Sequence, residues 1–122
     1  MKRVALILGT ILLSAGCGGP TKAGLEARAN AHKRMDSVNA DLAAQQATQK
    51  FEVGQLDEAL ETIDGAIARY SENGEYHLLR GRILLELHHL DAAYRAFTKS
   101  KEFSPELAEP YIRRKAIKHL SK

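Results

Sequence analysis

Slid against itself by 34 residues, this chain pairs small side chains with small and large with large. Ala47 falls on Gly81, Phe51 on Leu85, Val53 on Leu87, Leu56 on Leu90, Asp57 on Asp91, Ala59 on Ala93, Ile63 on Phe97 and Ala66 on Ser100. A repeat of this length is one supersecondary unit that buries its apolar face only by stacking on a neighbour. Helix formers fill the interval from Gly24 to Pro105, which contains no proline, and no strand alternation appears in it. Each unit therefore reads as a helical hairpin. In the second, one helix runs from about Glu75 to Leu87, His88-His89 form a turn, and Asp91 caps a second helix that ends near Glu102. The first unit follows the same plan, with a turn at Gly54-Gln55 and Asp57 close to the next N-terminus, where a carboxylate suits the unpaired N–H groups and the helix dipole.

At these residues the chain resembles the tetratricopeptide repeat (TPR) family, whose units are 34-residue pairs of antiparallel helices. Gly81, Leu84, Ala93, Phe97 and Pro105 stand at the signature places of the second unit. The first keeps Ala47, Ala59, Ile63 and Ala66, but has Lys50 and Ser71 where an apolar residue and the proline are expected. The resemblance implies an all-α fold with repeats at about 40–73 and 74–107. It implies a crossing at which Gly81 meets Ala93, where an alanine at 81 is tolerated, and a Phe97 that fills the gap towards the next unit. Leu107 to Leu120 continues the register, with Lys115 in the place of Gly81, and is read as a capping helix over 107–121. Such a cap is needed because a last repeat cannot bury its own face. Ile112, Ala116 and Leu120 form its contact ridge.

The resemblance also implies a concave groove lined by the first helix of each unit, which binds protein segments. Its candidate residues are Asp41, Ala44, Thr48 and Phe51, then Glu75, Leu78, Arg82 and Leu85, then Ile112, Ala116 and His119. Leu78 and Leu85 could equally serve the core. Arg82 either anchors a partner or forms an internal ion pair with Glu75, Glu86 or Asp91. Residues 25–39 are helical but polar, and Ala31, Met35, Val38 and Leu42 make a narrow seam through them. This segment could extend the first repeat helix or pair with a partner, and Asp36-Ser37 could divide it.

The N-terminus carries a second resemblance. Lys2 and Arg3 precede an uncharged run from Val4 to Leu13, shorter than the ~20 apolar residues of a membrane span but right for a secretory signal. Leu13-Ser14-Ala15-Gly16-Cys17 follows and resembles the lipobox of bacterial lipoproteins, with the leucine one place earlier than in the commonest pattern. The resemblance implies removal of residues 1–16, acylation of Cys17, and attachment to the bilayer through that lipid. Cys17 is the one cysteine of the chain. Residues 17–24 read as a short tether. Gly18, not aspartate, follows the cysteine, which favours the outer membrane, facing the periplasm.

Chemistry is not legible. There is no second cluster of His, Cys or Asp at metal-ligand spacing, no phosphate-binding glycine loop and no nucleophile motif. His88-His89 read as solvated, and no cofactor is implied. Two of the 18 Lys and Arg residues leave with the signal, against 15 acidic ones, so charge gives no case for nucleic acid. Arg113, Arg114, Lys115 and Lys118 in the last helix read either as a solvated face or as a contact for anionic headgroups or an acidic partner. The function expected is a non-enzymatic, membrane-anchored protein-interaction adaptor or assembly factor of the cell envelope. The alternative is a structural spacer that self-associates as a homo-oligomer. Cys17→Ser should abolish acylation and leave residues 1–16 attached. Intact-mass measurement of membrane-extracted protein checks this, and a mature chain beginning at Cys17 without acyl mass contradicts it.

Overall fold

Thr21 caps the first helix: its hydroxyl accepts the Gly24 N–H at 3.1 Å. The computed structural model describes Gly18, Gly19 and residues 21–114. The signal segment, Cys17, Lys115, Ala116, Lys118, His119 and Leu120 lie outside these residues. Five helices follow one another, α1 (Lys22–Glu52), α2 (Leu56–Arg69), α3 (Gly74–Glu86), α4 (Leu90–Phe103) and α5 (Pro105–Ile112). The fold is all-α.

The 34-residue offset holds in three dimensions. It carries the bounds of α2 onto those of α4 and the end of α1 onto the end of α3. It also carries one turn onto the other. After α1, the Gly54 N–H donates to the Phe51 carbonyl at 3.1 Å and the Gln55 N–H to Lys50 at 2.9 Å. After α3, His88 donates to Leu85 at 3.1 Å and His89 to Leu84 at 2.9 Å. This is the Schellman closure, which needs a left-handed residue where the helix ends. Gly54 takes it at φ 82° and His88 at φ 61°. Neither following helix has a side-chain cap: Gln55 and His89 occupy the cap positions without a side-chain bond. Asp91 is therefore not the cap expected of it. It lies one turn inside, in the first helical turn with helical backbone, as do Asp57 and Glu58 in α2, and acts there on the dipole alone.

The helix bounds decide one point that the sequence left open and differ from the sequence reading at two others. The segment 25–39 and the first repeat helix are one 31-residue helix, uninterrupted at Asp36-Ser37, since in an established helix each added residue gains a hydrogen bond and two residues of middling propensity do not stop it. α1 also takes in Lys22–Gly24, so the stretch from Cys17 to Lys22 spans at most about 17 Å. The last helix starts at Pro105, which sits at the first helical position where its missing N–H costs nothing. It ends at Ile112, two residues past an internal Pro110, with Arg114 N–H closing on the Tyr111 carbonyl at 3.2 Å.

Packing is layered. Ala40 and Ala47 of α1 meet Ala59, Ile63 and Ala66 of α2, and Tyr76, Leu79 and Ile83 of α3 close this cluster. Leu84 then joins Ala93, Ala96 and Phe97 of α4, with Tyr111 and Ile112 of α5 against them. α3 is buried on two faces because it packs against both α2 and α4. α1 buries only Ala40 and Ala47, both in its C-terminal half. Lys50, where an apolar residue was expected, sends its amine to Thr62 Oγ1 at 3.1 Å and Glu58 at 3.7 Å on α2. Arg80 pairs with Asp64 at 2.7 Å across the two units. Ser100, fully buried, donates to the Gly74 carbonyl at 2.7 Å.

Gly81 faces Phe97 rather than Ala93. A Cβ at position 81 would stand 2.5 and 2.6 Å from two Phe97 ring carbons. The ring has no exposed surface and is stacked on Tyr111 at 5.0 Å, so it has no room to yield. An alanine at 81 is thus not tolerated as the sequence suggested. Overpacking costs about 1–3 kcal/mol, more than the ~1 kcal/mol gained in helix propensity, and Gly81→Ala should lower the melting temperature. A melt equal to wild type contradicts this contact. His88→Gly should act oppositely. It relieves a left-handed penalty of about 1–2 kcal/mol, offset in part by the ~0.4–1 kcal/mol of added unfolded-state entropy. A rise of a few degrees in the melting midpoint is expected, and a fall contradicts it.

Candidate partner-binding groove

α1 and α3 run side by side, and the trough between them is open to solvent. Asp41, Ala44, Gln45 and Thr48 form one wall, Glu75, Leu78 and Arg82 the other, with Tyr76 and Leu79 below and Leu107 of α5 at the rim. The trough holds about 420 Å³. A smaller depression continues from Arg82, bounded by Phe51, Leu85, Glu86, Tyr111 and Arg114. The structure therefore brings together Thr48, Phe51, Leu78, Arg82 and Leu85. Ile112 is half-buried against the Phe97 cluster and lines neither depression. Ala116 and His119 lie outside the described residues.

The wall residues have distinct roles. Thr48 donates its hydroxyl to the Ala44 carbonyl at 3.0 Å, within its own helix. Leu78 and Leu85 are half-buried: Leu78 lines the trough and Leu85 the smaller depression, and both pack against the Leu84–Phe97 cluster. Each thus serves core and groove at once. Arg82 is exposed, and its guanidinium carbon lies 5.0 Å from the Phe51 ring centroid. Among the described residues no carboxylate pairs with it. The internal pair with Glu75, Glu86 or Asp91 is not formed.

Tyr76 is the feature that sequence reasoning passed over. Its hydroxyl donates to Asp41 Oδ1 across the floor, tying α3 to α1. Burial raises the phenol's pKa above its ordinary value, and the accepting bond and negative charge of Asp41 raise it further. It therefore stays protonated and keeps donating throughout the physiological range. The only trace in the sequence was that Asp41 aligns with Glu75, one residue from Tyr76. The groove is polarised, with Asp41 and Glu75 towards one end and Arg82 towards the other.

The basic C-terminal set divides. Arg113 Nε donates to Glu109 at 2.8 Å and Lys101 adds a second pair at 3.4 Å. The bond from Arg113, then the charge of Lys101, holds the Glu109 carboxyl below its usual range. Arg113 is thus committed within the fold. Arg114 lies over Tyr111, 4.9 Å from the ring centroid, which places a second stacked guanidinium in the depression beside Arg82. Lys115 and Lys118 fall outside the described residues.

Other polar residues are structural. His77 is buried, bonded through Nε2 to the Ser71 carbonyl at 2.8 Å and stacked on Phe103 at 5.8 Å. His88 and His89 are exposed in their turn. Among the described residues no group of three or more His, Cys, Asp or Glu is placed to hold a metal ion, and no helix is long and apolar enough to cross a membrane. Comparison with protein-family models, curated proteins and solved structures finds no match to this chain.

Proposed function

We propose that this chain is a lipid-anchored, non-enzymatic adaptor of the bacterial envelope that holds a protein partner in the groove between α1 and α3. The observation that carries the reading is Arg82. It is an exposed arginine, stacked on Phe51, flanked by Leu78 and Leu85, and without a carboxylate partner among the described residues. A planar guanidinium preset on an aromatic face loses little entropy on binding and offers a fork to a carboxylate or a helix C-terminus. Arginine and aromatic residues in desolvated pockets are the usual hot spots of protein recognition.

Two further features support the reading. The 34-residue period of helix bounds and turns is the geometry expected of TPR hairpins, whose concave face binds protein segments. The lipobox-like Leu13–Cys17 would anchor the chain through an acylated Cys17, and Gly18 directs it to the outer membrane. With so few residues between Cys17 and Lys22, the domain works close to the headgroups.

Arg82→Ala separates binding from folding. Losing an exposed cation–π contact costs about 0.5–1 kcal/mol, so the melting temperature should change little. Loss of a hot spot worth about 2 kcal/mol weakens binding roughly thirtyfold, so a partner that co-purifies with the wild-type protein from intact envelopes should be lost. Retained co-purification at unchanged stability contradicts the groove reading. A large fall in melting temperature assigns Arg82 to the fold instead.

A further inference from the structure

The face of α1 that points away from α2 carries an apolar stripe over residues 31–42 that stands exposed among the described residues, and Val53, at the C-cap of α1, is exposed on the same side. Met35 is 64% exposed, Val38 65%, Leu42 55% and Val53 72%. Leu42 lies two residues, or about 200° of helical rotation, from the buried Ala40 that faces α2, and Ala31, Met35 and Val38 share its side. The repeat shows what such a face normally does. The second-unit equivalents of Leu42 and Val53 are Tyr76 and Leu87. Tyr76 is 4% exposed and Leu87 packs against the first-unit cluster. At Leu42 and Val53, α1 therefore exposes the positions that on α3 are covered by the first unit.

The geometry points to a second copy of this chain as the occupant, with the two α1 helices packed antiparallel through this stripe. Ala31, Met35, Val38 and Leu42 are spaced four, three and four apart, the seam of a two-helix coil. An antiparallel pair with its two-fold axis between Asp36 and Ser37 sets Met35 against Val38 of the second copy and Ala31 against its Leu42. Large thus meets small at the ends and two mid-sized residues meet at the centre. The flanks are complementary. Arg34, which has no carboxylate partner among the described residues, comes beside Asp41 of the second copy, twice by symmetry. Asp41 uses Oδ1 for Tyr76 and keeps Oδ2 free for that arginine. On the other flank His32 meets Asn39, with no like charges opposed. Next along the seam, Arg28 meets Gln45. A parallel pair would instead set Arg28 against itself, burying two like charges, and would leave Arg34 facing Asn39. Charge and size together select the antiparallel arrangement, an isologous and closed contact. It does not depend on Arg82, and of the groove's charged residues it uses Asp41 alone.

Full-length chains in native membranes test this. Met35→Cys and Val38→Cys chains are co-expressed and mildly oxidised, with the parent chain, which carries only Cys17, and a Glu61→Cys chain on exposed α2 as collision controls. The mixed Met35–Val38 cross-link should exceed both controls at least tenfold and exceed the Met35–Met35 product. Adding Leu42→Glu to both chains should reduce it at least tenfold. A mixed product no greater than the controls, a dominant Met35–Met35 product, or indifference to Leu42→Glu would each overturn the proposal.

Discussion

The contact between the Phe97 ring and the Gly81 backbone decides how the second half of the molecule is assembled. A ring that has no exposed surface sits where any side chain at 81 would be, so α4 is held against the bare backbone of α3 through this ring. Tyr111 of α5 stacks on the ring's other side. One aromatic side chain thus joins three helices, and the glycine makes the space for it. The first unit achieves the same plan with Ala47 and Ile63 in the equivalent places. A smaller side chain at one position is matched by a bulkier one at the other, so the total filling the gap is kept roughly constant, as volume-conserving cores require.

How far the sequence was readable follows from the range of each interaction. Helix type, helix number in the repeats and both turns were legible because they depend on local chemistry and on a period repeated twice. Gly54 announces its left-handed turn; at His88 the turn was legible but its left-handed backbone was not. The Gly81 contact was half legible. That position had to be small, but the neighbour that demanded it was misassigned to Ala93, because the register says which residues share a face and not how deep a side chain reaches. The Asp41–Tyr76 bond was invisible for the same reason. It joins two helices through one hydroxyl, and neither residue type is unusual in a helix. Residues 25–39 were ambiguous because a polar helix with a thin apolar seam has no caps or periodicity that would say where it stops.

The groove residues illustrate how one helix face carries two tasks. Leu78 lies between the Phe97 cluster and the trough, and Leu85 between that cluster and the smaller depression, so their inner atoms stabilise the fold while their outer atoms remain available. That division explains why sequence alone left them open as core or groove. Arg82 differs: its guanidinium lies over Phe51, a residue from the other unit. The position of the charge is therefore set by the stacking of the two units, and a change in their packing moves the groove's cationic end directly.

The exposed apolar face of α1 has its origin in the order in which the helices stack. In a stack of hairpins, each first helix contacts its own second helix, the unit before and the unit after. α3 makes such contacts on both sides and is buried on two faces. Among the described residues α1 packs against α2 and, to a limited extent, α3, and Leu42, the counterpart of the buried Tyr76, is exposed. Burial of apolar surface is worth about 25 cal/mol per Å², and α1 forgoes this along Met35, Val38, Leu42 and Val53. A helix that needed only to close the stack would carry polar residues there, as capping units do. Its polar residues lie on the flanks instead, with the apolar ones aligned on a single narrow seam. That arrangement has the pattern of a helix-pairing surface and not of a cap.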